Sequence, residues 1–372
     1  MKIIKKLISV TLMLAILIAA VPVIETNALS TPSIKLVSKT SSTVTFDVVY
    51  PNQNAWGNRL EICNLNNQTW KEIQPKFYMK NGRYTFTGLE YGTPYCGRLT
   101  YYDEKAGWKV VDLYVTTVGY NKTGRNIKVD LADSYLKGSI TPENLTRWIK
   151  HLDAAYDAYY DLVGTKPVNG SKITIKASSD NYGWAWVYSS NSDPTIYWKK
   201  DYVSDELKVI NKTDTWSFGI LHELGHLFDI NGRWNFDAEF WANTKMVYVL
   251  ETLNAKVLMN NKLYTGAEIA QYYYSGAGSG SYINTLGKSE PTYSGDGLTY
   301  MFIHLKNQVG WNAFKSAFRY ISDKRIVAPQ NYKFNMFMSI LKNNSNGYDP
   351  MSIFTAKQKS VISSALNQNN IK

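Results

Sequence analysis

Five residues, His222-Glu223-Leu224-Gly225-His226, constrain this chain more than any other stretch. Residues four apart on a helix share a face, so His222 and His226 can each turn one ring nitrogen toward a single metal ion. Glu223 sits about 100° further round, beside the ion rather than bonded to it, where it can take a proton from metal-bound water. The flanking residues predict the helix independently. Ile220, Leu221, Leu224, Leu227 and Phe228 form an apolar stripe at helical spacing, with Asp214 or Thr215 to cap its start and Asn231-Gly232 to stop it. The chain has only 4 histidines, two of them in this pattern, which would arise by chance with a probability on the order of 10⁻³. The pattern reads as a zinc site rather than as two helix-face histidines satisfied in a core.

A catalytic zinc ion needs a third protein ligand and an open position for water. A second predicted helix follows at 235–251, with Phe240, Val247 and Leu250 inward and three acids, Asp237, Glu239 and Glu251. Glu239 is the preferred ligand because Asn243 lies four residues on, on the same face, able to hydrogen-bond a ligand from behind. Asp237, Glu251 and Asp229 stay open as alternatives.

These residues resemble a family. HELGH, a Trp eight residues on and a Glu-x-x-x-Asn helix are similar to the enhancin-like, mucin-directed metallopeptidases of the gluzincin group. Leu298 to Leu305 and the Gly310-Trp311 step that follows extend the resemblance over about residues 119–325. It implies an α+β zincin-type catalytic domain with a mostly helical C-terminal half, spanning 119–372. In gluzincins a strand upstream of the zinc helix pairs with the substrate backbone. Either 183–188 or 195–198 could be that edge, the former preferred, and its Trp184 and Trp186 could stack on sugar or peptide or simply pack in the core. Gluzincin aminopeptidases also place a Tyr before a Gly-containing helix start to steady the oxyanion. That resemblance points to Tyr293, with Tyr300 and His304 as alternatives.

Lys2, Lys5 and Lys6, then an apolar run from Leu7 to Ile24 and a small residue at Ala28, read as a signal peptide over 1–28. Export to the extracellular space is the expectation, with no membrane association after cleavage. The formal net charge is +11, yet the lysines are scattered and no reading helix appears, so nucleic acid is not an expected partner. Attraction to acidic surfaces suits an exported protein better.

Residues 29–118 alternate in period two between turn-rich breaks, which predicts an all-β sandwich. Tyr84 to Tyr95 resembles a passage of fibronectin type III domains in which a Tyr at the position of Tyr95 bonds its hydroxyl to backbone. The chain's 2 cysteines, Cys63 and Cys96, both fall here. With Leu60, Ile62, Tyr95 and Leu99 facing the core, both cysteines face out, on strands that are neighbours in such a fold, so an exposed cross-strand disulfide is geometrically possible.

The expected protein is therefore a multidomain, secreted, monomeric Zn²⁺ endopeptidase acting on a protein or mucin-type glycoprotein. His222, His226 and Glu239 would hold the metal, with Glu223 as general base. The rival is a non-catalytic surface or glycan binder with a structural or silent zinc site, which would have no use for Glu223.

Overall fold

The computed structural model describes residues 30–188, 193–228, 238–275, 285–323 and 329–368. Two compact units make up the chain, the first ending at Val118 and the second beginning at Gly119. The proposed signal peptide lies outside the described residues.

The first unit holds two antiparallel sheets. One runs β1 (Ser33–Lys39), β2 (Val44–Val49), β5 (Gly82–Phe86); the other runs β4 (Thr69–Glu72), β3 (Arg59–Asn64), β6 (Pro94–Asp103), β7 (Gly107–Thr116). Alternate residues of both sheets, among them Val44, Phe46 and Phe86 from one and Leu60, Ile62 and Leu99 from the other, close a common apolar core. The Tyr95 hydroxyl accepts the backbone N–H of Glu90 at 2.9 Å.

The cysteines require a correction. Cys63 and Cys96 stand directly opposite each other across β3 and β6, but both are buried, and both are free thiols. Period-two alternation does put them on the outer face. That face is flanked at this row by Trp70 and Tyr114, their in-register neighbours on β4 and β7. One row along, Arg98 lies 4.9 Å over the Trp70 ring while pairing with Asp112. Period alone predicts the face and not the side chains that flank it.

In the second unit, β8 (Ile127–Asp130), β9 (Ile173–Ser178) and β11 (Thr195–Lys199) run parallel, and β10 (Ala185–Val187) closes one edge antiparallel to β11. After the one-turn α1 (Asp133–Leu136) comes α2 (Pro142–Val163), as the Thr141-Pro142 start signal predicts. Thr141 caps it by accepting the N–H of Asn144, and Gly164 ends it in the left-handed region. Then follow α3 (Lys200–Thr213), β12 (Trp216–Ser217), α4 (Phe218–Leu227), α5 (Ala238–Thr252), the hairpin β13 (Lys256–Met259) and β14 (Lys262–Thr265), and α6 (Gly266–Ser275). The helical end consists of α7 (Gly295–Asp323), α8 (Gln330–Asn343) and α9 (Ala356–Gln368). The Gly310-Trp311 step is a kink in α7, where Gly310 takes φ 74°.

Nearly every described side chain of α5 from Phe240 to Leu250 is buried. The helix is enclosed rather than amphipathic, which is why a three-residue inward face understates it.

Candidate metal centre

The centre is built on α4 and α5. Helix α4 starts at Phe218 because the Ser217 hydroxyl accepts the N–H of Ile220 at 3.4 Å. Neither expected cap serves. Asp214 ends α3 in the left-handed region with φ 54°, and the Thr215 hydroxyl donates to the Lys256 carbonyl. The stop expected at Asn231-Gly232 lies outside the described residues; the helix ends at Leu227. From one side Tyr159 donates its hydroxyl to the Leu221 carbonyl at 2.8 Å, and from α5 Lys245 donates to the Gly225 carbonyl at 2.6 Å. At Gly225 the two helices come so close that a Cβ would lie 3.3 Å from the Cα of Ala242.

This packing brings His222, His226 and Glu239 together, one donor atom from each lying within 4.8 Å of the others. The histidine Nε2 atoms are 3.0 Å apart, and the Glu239 carboxylate oxygens lie 3.2 Å from His222 and 3.5 Å from His226. A tetrahedral zinc ion with bonds near 2.0 Å requires ligand atoms about 3.3 Å apart, so the spacing and the donor chemistry both fit that ion. Asn243 Oδ1 accepts from His222 Nδ1 at 2.9 Å. With its proton on Nδ1, the ring turns the lone pair of Nε2 toward the cluster.

Glu223 is buried on the same helix, its carboxylate near the backbone of Val187 on the edge strand β10. Burial raises its pKa first; the imidazoles of His222 and His226 and the nearby Val187 backbone N–H lower it, while the Glu239 charge adds to the rise. Glu239 is held well below the usual carboxylate range, chiefly by hydrogen bonding with His222 and then His226.

Of the alternative ligands, Glu251 is committed elsewhere: its two oxygens accept from Lys306 at 2.8 Å and from the Trp311 indole at 2.7 Å. Asp229 and Asp237 lie outside the described residues. Trp186 needs a correction as a stacking residue. It is only 6% exposed and one face lies against its cross-strand partner Tyr197, ring centroids 5.9 Å apart and nearly parallel, so little of the ring is offered to a ligand. Trp184 is half-buried, its indole donating to Glu206. Tyr293 is half-buried just before α7 and packs on the core of this unit; His304 is half-buried within α7. Tyr300 covers Gly287, where an added Cβ would sit 2.9 Å from its ring.

Sequence reasoning missed Ser217, Lys245 and the Val187 backbone. Lys245 was detectable as a lone charge in an otherwise apolar helical run; the other two depend on tertiary packing.

Two imidazoles converging from one helix, a carboxylate on the next and a buried glutamate near an edge strand form a cluster that could hold a metal ion. The profile of peptidase M60, enhancin and enhancin-like, matches residues 123–342. The chain belongs to this family of peptidases. A search of curated proteins found no match. Two solved structures are similar to part of the chain. One, described as a computer-based redesign of a β-sandwich protein, is 20% identical, with 25% of this chain and 99% of that chain covered at a TM-score of 0.21. The other, described as a myokine structure, is 12% identical, with 24% of this chain and 97% of that chain covered at a TM-score of 0.20. Among the described residues no helix is long and apolar enough to cross a membrane.

Proposed function

We propose that the chain is an exported zinc endopeptidase that cuts extracellular glycoproteins, mucin-type proteins among them. The observation that carries this reading is the convergence of His222, His226 and Glu239, with Glu223 buried beside them on the same helix. The ion, when bound by those three side chains, supplies Lewis-acid polarisation of the scissile carbonyl and a bound water with a pKa lowered toward ~7.

The chain's own residues do the rest. Glu223 takes the proton of the attacking water and passes it to the departing amine. Its partly desolvated carboxylate is a stronger base than an exposed one. Asn243 holds His222 in the ligating tautomer. The edge strand β10 offers main-chain pairing to an extended substrate, which gives affinity with few side-chain demands. Tyr293 donates to the tetrahedral oxyanion, a role in which one lost donor typically costs about 10²–10³ in rate. The first unit acts as a fibronectin type III-like spacer, and the leader over 1–28 directs export.

The test is incubation of the mature protein with a mucin and with its deglycosylated form, fragments being read by mass spectrometry. Parallel samples contain 1,10-phenanthroline or the Glu223→Gln variant. Peptide-bond fragments are expected only from the untreated parent, with the variant keeping its zinc. Near-native cutting by a zinc-replete Glu223→Gln protein would refute the general-base role; no cutting of any protein by the parent would refute the peptidase.

A further inference from the structure

A cavity of about 400 Å³ lies between α3, the residue preceding β10 and the β13–β14 hairpin. Its aromatic walls are Trp184 and Tyr202, ring centroids 5.9 Å apart; its polar walls are Asp205, Glu206, Asn260 and Asn261. The charged side chains lining it are thus both acidic. Two cations stand nearby but are engaged outside the lining. Lys199 donates to Asn181 at 2.7 Å while lying 5.5 Å from the centroid of the Tyr202 ring, and Lys208 pairs with Asp205 at 2.8 Å. The latter pair is exposed, with the Asp205 side chain 80% accessible, so water and competing cations exchange it readily.

Glu206 is the unusual member. It is 6% exposed, one oxygen accepts from the Trp184 indole, and the other is closed to solvent near the Ser217 hydroxyl and the Trp198 indole, with no well-formed hydrogen bond of its own. Burial pushes its carboxyl up to about 7 against the opposing influence of Ser217, Trp184 and Trp198. A buried carboxyl group is best compensated by positive charge brought into the cavity beside it. An anionic ligand would meet two acids, and a neutral hydroxyl would supply the hydrogen bond without the counter-charge. Aromatic walls favour a cation as well.

We propose that this cavity receives a basic side chain, lysine or arginine, of the polypeptide held along β10. The inference rests on the peptidase reading and names a side-chain preference for it. Trp184 lies three residues before Val187, and extended chain rises about 3.3 Å per residue, so the cavity sits on the order of 10 Å along the chain from the backbone beside Glu223.

Two measurements on the intact mature protein test it. The first titrates arginine amide, with citrulline amide as the uncharged control, and follows tryptophan fluorescence and heat. Saturable binding of arginine amide is expected, at least tenfold weaker for citrulline amide and for Glu206→Gln, Asp205→Asn and Tyr202→Ala proteins with native circular dichroism. Absence of saturable binding, equal binding of citrulline amide, or equal binding by all three variants overturns the proposal. The second cleaves a random peptide library. Enrichment of Lys or Arg at one position relative to the cut, reduced at least tenfold in Asp205→Asn, is expected. Cleavage with no basic preference overturns the subsite and leaves the peptidase standing. Arginine amide binding without cleavage of any peptide or protein overturns the peptidase instead, and with it the assignment of the cavity to a substrate side chain.

Discussion

Lys245 has no solvent exposure, and its ammonium donates to the carbonyl of Gly225 over 2.6 Å. Gly225 lies in the last turn of α4, where its carbonyl also accepts the Phe228 N–H at 3.1 Å and a nearby cation is favoured. The bond ties the helix carrying both histidines to the helix carrying Glu239.

Replacing Lys245 with Met keeps the volume and deletes the donor. Hydrogen bonds to charged groups contribute about 1.5–3 kcal/mol, and the Gly225 carbonyl would keep only its bond from the Phe228 N–H. For a protein of this size each kcal/mol moves the melting temperature by roughly 2–4 °C, so calorimetry should show a fall of about 3–12 °C. An unchanged transition would show that the bond is idle.

Asn243→Leu removes the acceptor that orients His222 while preserving bulk. Loss of such a partner typically lowers metal affinity about 10–100-fold. Competition against a chromophoric chelator measures this directly, and unchanged affinity would mean that the histidine is oriented by packing alone.

Gly225→Ala tests the helix contact by its sign. In an open helix the change stabilises by about 0.8–1.0 kcal/mol. Here the new methyl would press at 3.3 Å on the Ala242 backbone and the Tyr159 hydroxyl. Overpacking of about 1–3 kcal/mol should win, lowering both the melting temperature and the metal affinity. A gain in stability would show that α4 and α5 can part at no cost.

Glu206 makes stability depend on pH. Its carboxyl is lifted from the ordinary 4.5 to about 7 by burial, so between those values the folded chain holds a proton that the unfolded chain has released. The contribution is therefore fully present below 4.5 and is lost as pH rises through 7, a swing of about 3 kcal/mol. Melting the parent and Glu206→Gln at pH 5 and pH 8 isolates it: the variant should lack this part of the decline. Parallel declines would place the titration elsewhere.

Much of this was legible beforehand because it is local. The spacing of His222 and His226, the four-residue step from Glu239 to Asn243 and the Thr141-Pro142 start each encode geometry within one or two helical turns. The alternation around Phe46 and Leu60 likewise exposes the two-sheet core of the first unit. What could not be read depends on distant partners. Ser217 is one of several polar residues ahead of α4, and only the pairing of β12 with β13, which occupies Thr215 with Lys256, makes it the cap. Trp186 looks like a ligand platform until Tyr197 is known to lie against it. Burial of Cys63 and Cys96 likewise depends on flanking residues of β4 and β7.

The carboxylate of Glu251 grips α7 on both sides of its break, Lys306 before Gly310 and Trp311 after it. Helix α5 is thus anchored at the end remote from Glu239 by a piece of chain about sixty residues downstream. A fragment cut just beyond α5 would retain all three candidate ligands and lose the clamp on the helix that carries Glu239, so an autonomous version of this peptidase unit is expected to run through α7.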